Sequence, residues 1–158
     1  MASNFKVTLS IRKHPESQNI YFKVDGGRFD QERTVKFNVN SVYKLEFQFK
    51  PAQLIQSLNI HGGRIDANLK TRDESETLYA ATWASTGVPV DKKGKRHELP
   101  IVIELENNAI LKLNIQGKFY GEKETSHSHW GNCVSFMEYD CKKEDGSSFV
   151  EVVKEVYR

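Results

Sequence analysis

The strictest constraint in this sequence is a strand, a glycine turn and a second strand within residues 20–39. Ile20, Phe22 and Val24 occupy every second position with more polar residues between them, which is the pattern of a β-strand with one buried face. Asp25-Gly26-Gly27 follows, and glycine supplies the positive φ that tight hairpin turns require. The alternation resumes from Val35 to Val39. The segment predicts a β-hairpin.

The same alternation recurs, with turn residues between the runs, almost to the end of the chain. The predicted strands lie within residues 5–11, 20–24, 35–39, 43–49, 54–60, 64–69, 78–84, 99–105, 109–115, 133–141 and 149–153. Only Pro51–Gln56 and Glu151–Tyr157 are candidates for a turn or two of helix. Strands at this spacing predict an all-β protein with a single domain over residues 1–158: an antiparallel β-barrel or closed sandwich of about ten strands.

Composition excludes several classes of protein. Hydrophobic residues make up 38% of the 158 residues and charged ones 28%, which is typical of a globular domain. No apolar run approaches the roughly 20 residues that cross a bilayer, so we expect no transmembrane segment. The N-terminal residues lack the basic and apolar regions of a secretory signal, so we expect a cytoplasmic protein. A net charge of +2 is too small to predict nucleic-acid binding.

The two cysteines, Cys133 and Cys141, flank a single predicted strand. Eight residues of extended chain span roughly 26 Å, whereas a disulfide requires a Cα separation below about 7 Å. We therefore expect two free thiols, which suits a reducing compartment.

The segment His-Ser-His-Trp-Gly-Asn-Cys resembles part of a metal site. His127, His129 and Cys133 are an incomplete zinc set, because structural zinc takes four ligands in short paired spacings. The simpler interpretation is a surface loop whose Trp130 docks its ring on the barrel. No nucleophile elbow or phosphate-binding glycine motif is present. We therefore predict no enzyme, no metal and no cofactor.

A basic loop contains Lys92, Lys93, Lys95, Arg96 and His97. A solvated hairpin loop is the simpler interpretation. The loop is also the natural place for an anionic partner, either acidic lipid head groups or an acidic peptide.

Aromatic residues fall mostly on the predicted strands. A solid core is the simpler interpretation, but barrels of this size also enclose apolar cavities that hold a lipid or prenyl-like group. The candidate cavity-lining residues are Phe22, Phe37, Tyr43, Phe47 and Trp83.

Four motifs resemble the cannabinoid receptor-interacting protein family. They are Tyr-Phe-Lys-Val-Asp-Gly-Gly-Arg-Phe at residues 21–29, Arg-Thr-Val-Lys at 33–36, Lys-Phe-Tyr at 118–120 and His-Trp-Gly-Asn-Cys-Val-Ser-Phe-Met-Glu-Tyr-Asp-Cys-Lys at 129–142. The matches run in order along nearly the whole chain, and they are looser between residues 54 and 111, where spacing is the main likeness.

The resemblance implies a non-enzymatic cytosolic adaptor. Such a protein would bind the C-terminal tail of the type-1 cannabinoid receptor, or of another receptor, and modulate G-protein signalling at the inner face of the plasma membrane. It also implies a barrel similar to carriers of lipidated cargo such as Rho GDP-dissociation inhibitors, so a lipid or lipidated peptide is the alternative partner.

We expect the partner to bind among the loops at one mouth of the barrel. The candidate partner-binding residues are Arg28, Phe29, Lys92, Lys93, Lys95, Arg96, His127 and Trp130.

Overall fold

Strands form almost the whole of the regular structure. The computed structural model describes residues 2–158, and those residues contain no helix. The strands are β1 (Ala2–Lys13), β2 (Gln18–Val24), β3 (Arg33–Asn38), β4 (Val42–Lys50), β5 (Ile55–Ile60), β6 (Gly63–Ile65), β7 (Asn68–Arg72), β8 (Thr77–Ala84), β9 (His97–Leu105), β10 (Ile110–Tyr120), β11 (Asn132–Val134), β12 (Met137–Glu144) and β13 (Glu151–Tyr157). The prediction of an all-β fold is confirmed.

Burial follows the period-two pattern. Along β4, the side chains of Tyr43, Leu45, Phe47 and Phe49 are buried while their neighbours are exposed or half-buried. The same alternation along β9 and β10 directs branched apolar side chains inward. The inward sets of the two halves of the sheet meet in one hydrophobic core.

The strands follow the order β6-β5-β9-β10-β3-β2-β1-β4-β8-β7, and β11, β12 and β13 lie off this path. Two features differ from a closed antiparallel barrel. Strand β10 runs parallel to β3, with Gly117 beside Val35, and the hydrogen-bonded path ends at β6 and β7 without joining them. Hairpin signals identify only antiparallel neighbours in sequence, so they could not predict a pairing between segments about 80 residues apart.

Several local assignments from the sequence were wrong. Pro51–Gln56, one of the two candidates for helix, has no helical residue, and β5 begins at Ile55. Glu151–Tyr157, a candidate for helix, is strand β13 and pairs with β12. The predicted single strand between the cysteines is broken at Ser135 and Phe136, whose N–H groups donate to the Arg158 carbonyl. The prediction of free thiols is nevertheless confirmed.

Most of the predicted cavity-lining residues pack on one another. The Phe37 ring lies 5.2 Å from that of Tyr43 and 6.4 Å from that of Trp83, measured between centroids, and it stacks on Phe119 at 5.1 Å. Phe47 is fully buried. Phe22 is only half-buried and lies edge-on to Tyr157. Aromatic rings therefore occupy this end of the interior themselves.

Tyr43 provides a test of this core. Its hydroxyl accepts a hydrogen bond of 2.7 Å from the buried N–H of Asn38, and burial raises the pKa of Tyr43 to about 12. Tyr43→Phe leaves that N–H without an acceptor, so we expect the free energy of unfolding to fall by about 1–3 kcal/mol in urea denaturation. Tyr21→Phe, at a half-buried position on the outer face of β2, is the matched control and should change it by less than about 0.5 kcal/mol. Equal effects would refute the assigned hydrogen bond.

The two thiols should react differently. Cys133 is exposed, whereas Cys141 is buried, and burial, reinforced by Asp140, raises the pKa of Cys141 to about 12. Because the thiolate is the reactive form, one thiol per chain should react rapidly with a chromogenic aromatic disulfide in the native protein. Both should react in denaturant. Rapid reaction of both thiols without denaturant would contradict the buried position of Cys141.

Candidate functional site

A buried ion pair joins two of the predicted mouth loops. The Arg96 guanidinium donates to both carboxylate oxygens of Asp25, at 3.2 Å each, and the hydroxyl of Thr34 also donates to Asp25. The Asp25 and Arg96 side chains are only 1% and 6% exposed. The basic loop is therefore tied to the glycine turn of the first hairpin.

Electrostatics favour the charged form of Asp25. Burial acts to raise the pKa of Asp25, but hydrogen bonds from Arg96 and Thr34 outweigh burial and lower that pKa below its usual value. A carboxylate with a lowered folded-state pKa contributes stability above the unfolded-state pKa. That contribution is lost as the pH falls through the folded-state pKa.

The same loops enclose a shallow groove of about 220 Å³, hereafter the loop groove. The Phe29 ring lies beneath two guanidinium groups, at 4.5 Å from Arg96 and 5.2 Å from Arg28. His97 forms one wall: its ring stacks on Phe119 with centroids 4.6 Å apart. The groove is lined by Arg28, Phe29, Asp30, Arg96, His97, Glu98 and Gln116.

Asp91 fixes the orientation of the His97 ring. One carboxylate oxygen lies 2.8 Å from His97 Nδ1, and the other accepts a 2.8 Å hydrogen bond from the N–H of Phe119. Both ends of the basic loop are thus held by carboxylates, so that Lys92, Lys93 and Lys95 project from a fixed base.

A third loop, residues 121–131, is held over the outer face of the sheet by Lys36. The Lys36 ammonium donates to the carbonyls of His127 at 3.0 Å and Trp130 at 2.6 Å, and it lies 5.4 Å from the centroid of the Trp130 ring. Asn38, on the same strand, donates to the carbonyls of Gly121 and Glu124. Two neighbouring outward side chains of β3 therefore fix the whole loop.

Several lysines share this outer face, hereafter called the Trp130 face, which comprises Lys23, Lys36, Lys118, Tyr120 and Trp130. Lys118 is the direct neighbour of Lys36 across the parallel pair. Burial, followed by the charge of Lys23, lowers the pKa of Lys36; burial, followed by Arg96, lowers that of Lys118. The cations of the face are thus close enough to repel one another.

The predicted mouth residues fall into two neighbouring groups. Arg28, Phe29 and Arg96 meet at the loop groove, while His127 and Trp130 lie on the Trp130 face, where His127 stacks on Tyr120 at 6.3 Å. Their role in binding stays a prediction. The expectation that the Trp130 ring docks on the barrel is wrong, because its side chain is 71% exposed.

The geometry does not support the alternative of a metal site at His127, His129 and Cys133. His127 lies against Tyr120, whereas His129 Nε2 lies 3.3 Å from the Lys13 ammonium. Within residues 2–158, no three side chains of His, Cys, Asp or Glu are grouped so as to hold a metal ion.

Sequence reasoning did not predict Lys23, Lys36 and Lys118 as site residues. Lys23 and Lys36 occupy outward positions of predicted strands, where lysine is ordinary, and Lys118 lies beyond the predicted strand 109–115. Only the pairing of β3 with both β2 and β10 brings them together. His97 was predicted as part of the basic loop but not as a partner-binding residue.

Breaking the ion pair between Asp25 and Arg96 should destabilise the protein in a pH-dependent way. Asp25→Asn leaves Arg96 buried without a carboxylate, so we expect the free energy of unfolding at neutral pH to fall by about 3 kcal/mol. The difference from the native chain should start to shrink as the pH falls below about 4, where Asp25 of the unfolded chain takes up a proton, and should be lost only as the pH passes through the lower folded-state pKa of Asp25. Urea denaturation across this pH range measures both effects.

Asp30→Asn is the control, because Asp30 is an exposed carboxylate in the same turn. It should change the free energy of unfolding by less than about 0.5 kcal/mol. A loss in Asp25→Asn that stays constant down to about pH 3 would show that the charge of Asp25 is not responsible.

Comparison with known proteins identifies the family. A family model described as CB1 cannabinoid receptor-interacting protein 1 matches residues 1–157. Proteins of that name from Homo sapiens, Bos taurus and Rattus norvegicus are each 31% identical to this chain over 155 residues, which cover 96% of the chain and 94% of each relative. Among the described residues, no helix is long and apolar enough to cross a membrane. The chain belongs to the CB1 cannabinoid receptor-interacting protein 1 family.

Proposed function

We propose that this protein is a non-enzymatic cytoplasmic adaptor that binds the C-terminal tail of a type-1 cannabinoid receptor and modulates its G-protein signalling. The observation that carries this proposal is family membership over residues 1–157, together with relatives that are named for interaction with that receptor. A receptor tail is accessible at the inner face of the plasma membrane, where the adaptor would act.

The loop groove is the docking position that the geometry supports best. Arg28 is exposed, and its guanidinium rests on the Phe29 ring without an ion pair to any described residue. A carboxylate of the tail would form a charge-assisted hydrogen bond with Arg28, and an apolar neighbour would pack on Phe29. Lys92, Lys93 and Lys95 would attract an acidic segment to the groove.

Addition of the tail to an edge strand is the competing docking mode. Strand β7 is an edge of the hydrogen-bonded path. It has five residues, all exposed, and its pairing with β8 is interrupted between Leu69 and Thr71, at Lys70. Short length, a bulge and a lysine are features that protect edge strands from pairing, so β7 is a poor template for the tail.

A carrier of a lipid or lipidated peptide is the alternative function. An acyl chain that entered the sandwich beside the loop groove would meet the contacting rings of Phe37, Tyr43, Trp83 and Phe119. These rings would have to separate to admit the chain. Acylation of a peptide ligand is therefore the variable that distinguishes carrier from adaptor.

Fluorescence anisotropy with a labelled peptide of the receptor's C-terminal tail tests the adaptor proposal. We expect saturable binding that Arg28→Ala weakens about 10-fold to 100-fold, because a hydrogen bond to a charged group contributes about 1.5–3 kcal/mol. Arg64→Ala removes an exposed arginine from β6 and is the matched control, which should bind like the native chain. Absence of binding at peptide concentrations on the order of tens of micromolar would refute direct recognition of the tail.

A second peptide with the same sequence and an N-terminal acyl chain completes the design. Equal affinities for the two peptides favour the adaptor. A gain of about 100-fold or more on acylation, corresponding to burial of several methylene groups at about 0.8 kcal/mol each, would favour the carrier.

A further inference from the structure

Tail binding at the loop groove leaves the Trp130 face without a role. Trp130 is 71% exposed, more than any other large apolar side chain of the described residues. The Lys36 ammonium lies 5.4 Å from the centroid of its ring. The bonds from Lys36 to the carbonyls of His127 and Trp130 hold the backbone in place. An indole ring is thus presented to solvent on a fixed support.

Around the Trp130 face and the loop groove, three acidic side chains are buried or half-buried. The carboxylates of Asp25, Asp91 and Glu124 point inward: their side chains are 1%, 12% and 28% exposed, and each accepts hydrogen bonds within the protein. Lys23 is exposed and Lys118 half-exposed. The outermost charges are therefore mainly positive.

No carboxylate pairs directly with the cations of the face. In residues 2–158, neither Lys23, Lys36 nor Lys118 forms an ion pair within 4.0 Å. Burial lowers the pKa of Lys36 and of Lys118, and the charge of Lys23 lowers both further, although Glu124 acts to raise the first and Asp91 the second. Glu122 is an exposed acid of the same loop, but Lys123 follows it. An anionic surface would relieve this repulsion.

A second exposed apolar side chain, Val90, lies close to lysines in sequence. Val90 is 54% exposed and precedes Asp91, whose N–H donates to the carbonyl of Phe119, between Lys118 and Tyr120. Lys92 and Lys93 follow in the exposed part of the basic loop. An aromatic and an aliphatic side chain thus stand among lysines on one side of the molecule.

We propose that the Trp130 face docks on anionic lipid bilayers. Indole rings prefer the head-group level of a bilayer, where the ring is apolar and its N–H stays hydrated. Clustered lysines outside the bilayer are attracted by anionic lipids such as phosphatidylserine. The exposed surface combines loop 121–131, which carries Trp130, with outward side chains of the flanking strands, and a broad head-group layer fits this shape better than a peptide strand does. Docking in this way would bring the adjoining loop groove close to the membrane that carries the receptor.

Intrinsic fluorescence tests the proposal directly, because the chain has two tryptophans and the other, Trp83, is only 6% exposed in the core. Vesicles of phosphatidylcholine with phosphatidylserine should bind the native chain in co-sedimentation and shift its emission to shorter wavelengths. Brominated lipids should quench that emission. Vesicles of phosphatidylcholine alone should do neither, and salt well above about 0.1 M should weaken binding.

Two sets of variants distinguish the contribution of the lysine charges to vesicle binding from that of the Trp130 ring. Replacing Lys23 and Lys118 of the Trp130 face and Lys92 of the adjoining basic loop by glutamine should weaken binding to phosphatidylserine vesicles about 100-fold, from roughly fivefold per lysine. The control replaces Lys44, Lys112 and Lys154, which are exposed outside both the Trp130 face and the basic loop, and has the same net charge. It should retain most of the binding. Trp130→Ala should weaken binding and abolish the fluorescence shift, whereas Trp130→Phe should restore binding without the shift.

Three results would overturn the proposal. They are failure of the native chain to bind phosphatidylserine vesicles at low salt, equal losses in the two lysine sets, and binding without a change in Trp130 emission. The assay contains no receptor peptide, and Arg28→Ala should bind vesicles within about threefold of the native chain, less than the effect of one clustered lysine. Failure of membrane docking is therefore distinguishable from failure of tail recognition.

Discussion

The architecture depends on the long first strand, because β1 is the strand through which the two halves of the sheet meet. One edge of β1 pairs with β4 from Lys6 to Lys13. The other edge pairs first with β12, up to Leu9, and then with β2, from Arg12. Arg12 also donates to the carbonyl of Ser135, where the chain crosses from β11 to β12. This change of partner lets β2 turn away into the second half while β12 stays with the first, and it brings the inward side chains of both halves against one core.

Alternation predicted much of this fold, since it reports which face of each strand is buried. It predicted β4 and β9 well, because their inward positions are apolar and their turns contain proline, asparagine or glycine. It ended β10 at residue 115, although the strand continues to Tyr120. It could not predict that β10 lies parallel to β3, because that pairing is set by how the two layers close over the core and leaves no local signal. It predicted β13 only in part. The predicted strand at 149–153 overlaps the start of β13, but two adjacent valines and a charged pattern also suggested a helix over Glu151–Tyr157, and the full strand is recognisable only beside β12.

The candidate site was less predictable than the fold, and Lys36 shows why. Its outward position on a strand predicts a solvated lysine. In the structure it is only 5% exposed, because loop 121–131 folds over it and supplies two carbonyl acceptors. The density of positive charge did predict Arg96 as a site residue. Its buried partner Asp25 was predicted only as part of a hairpin turn, because the turn geometry by itself accounts for that sequence. Residues that hold loops act through tertiary contacts, so periodicity does not reveal them.

Both loop anchors use buried charge where apolar packing would serve stability as well. Desolvation of the Lys36 and Arg96 side chains on folding costs free energy, and their hydrogen bonds offset this cost only in part. An apolar contact is non-directional, however, and fixes a loop only loosely, whereas an ammonium with two carbonyl acceptors or a guanidinium with both oxygens of a carboxylate fixes both distance and orientation. The arrangement thus places Phe29 and Trp130 at defined positions on neighbouring parts of one surface. A rigid placement lowers the entropy that a partner must offset on binding, and this gain gives a binding protein a physical reason to tolerate buried charges in its loops.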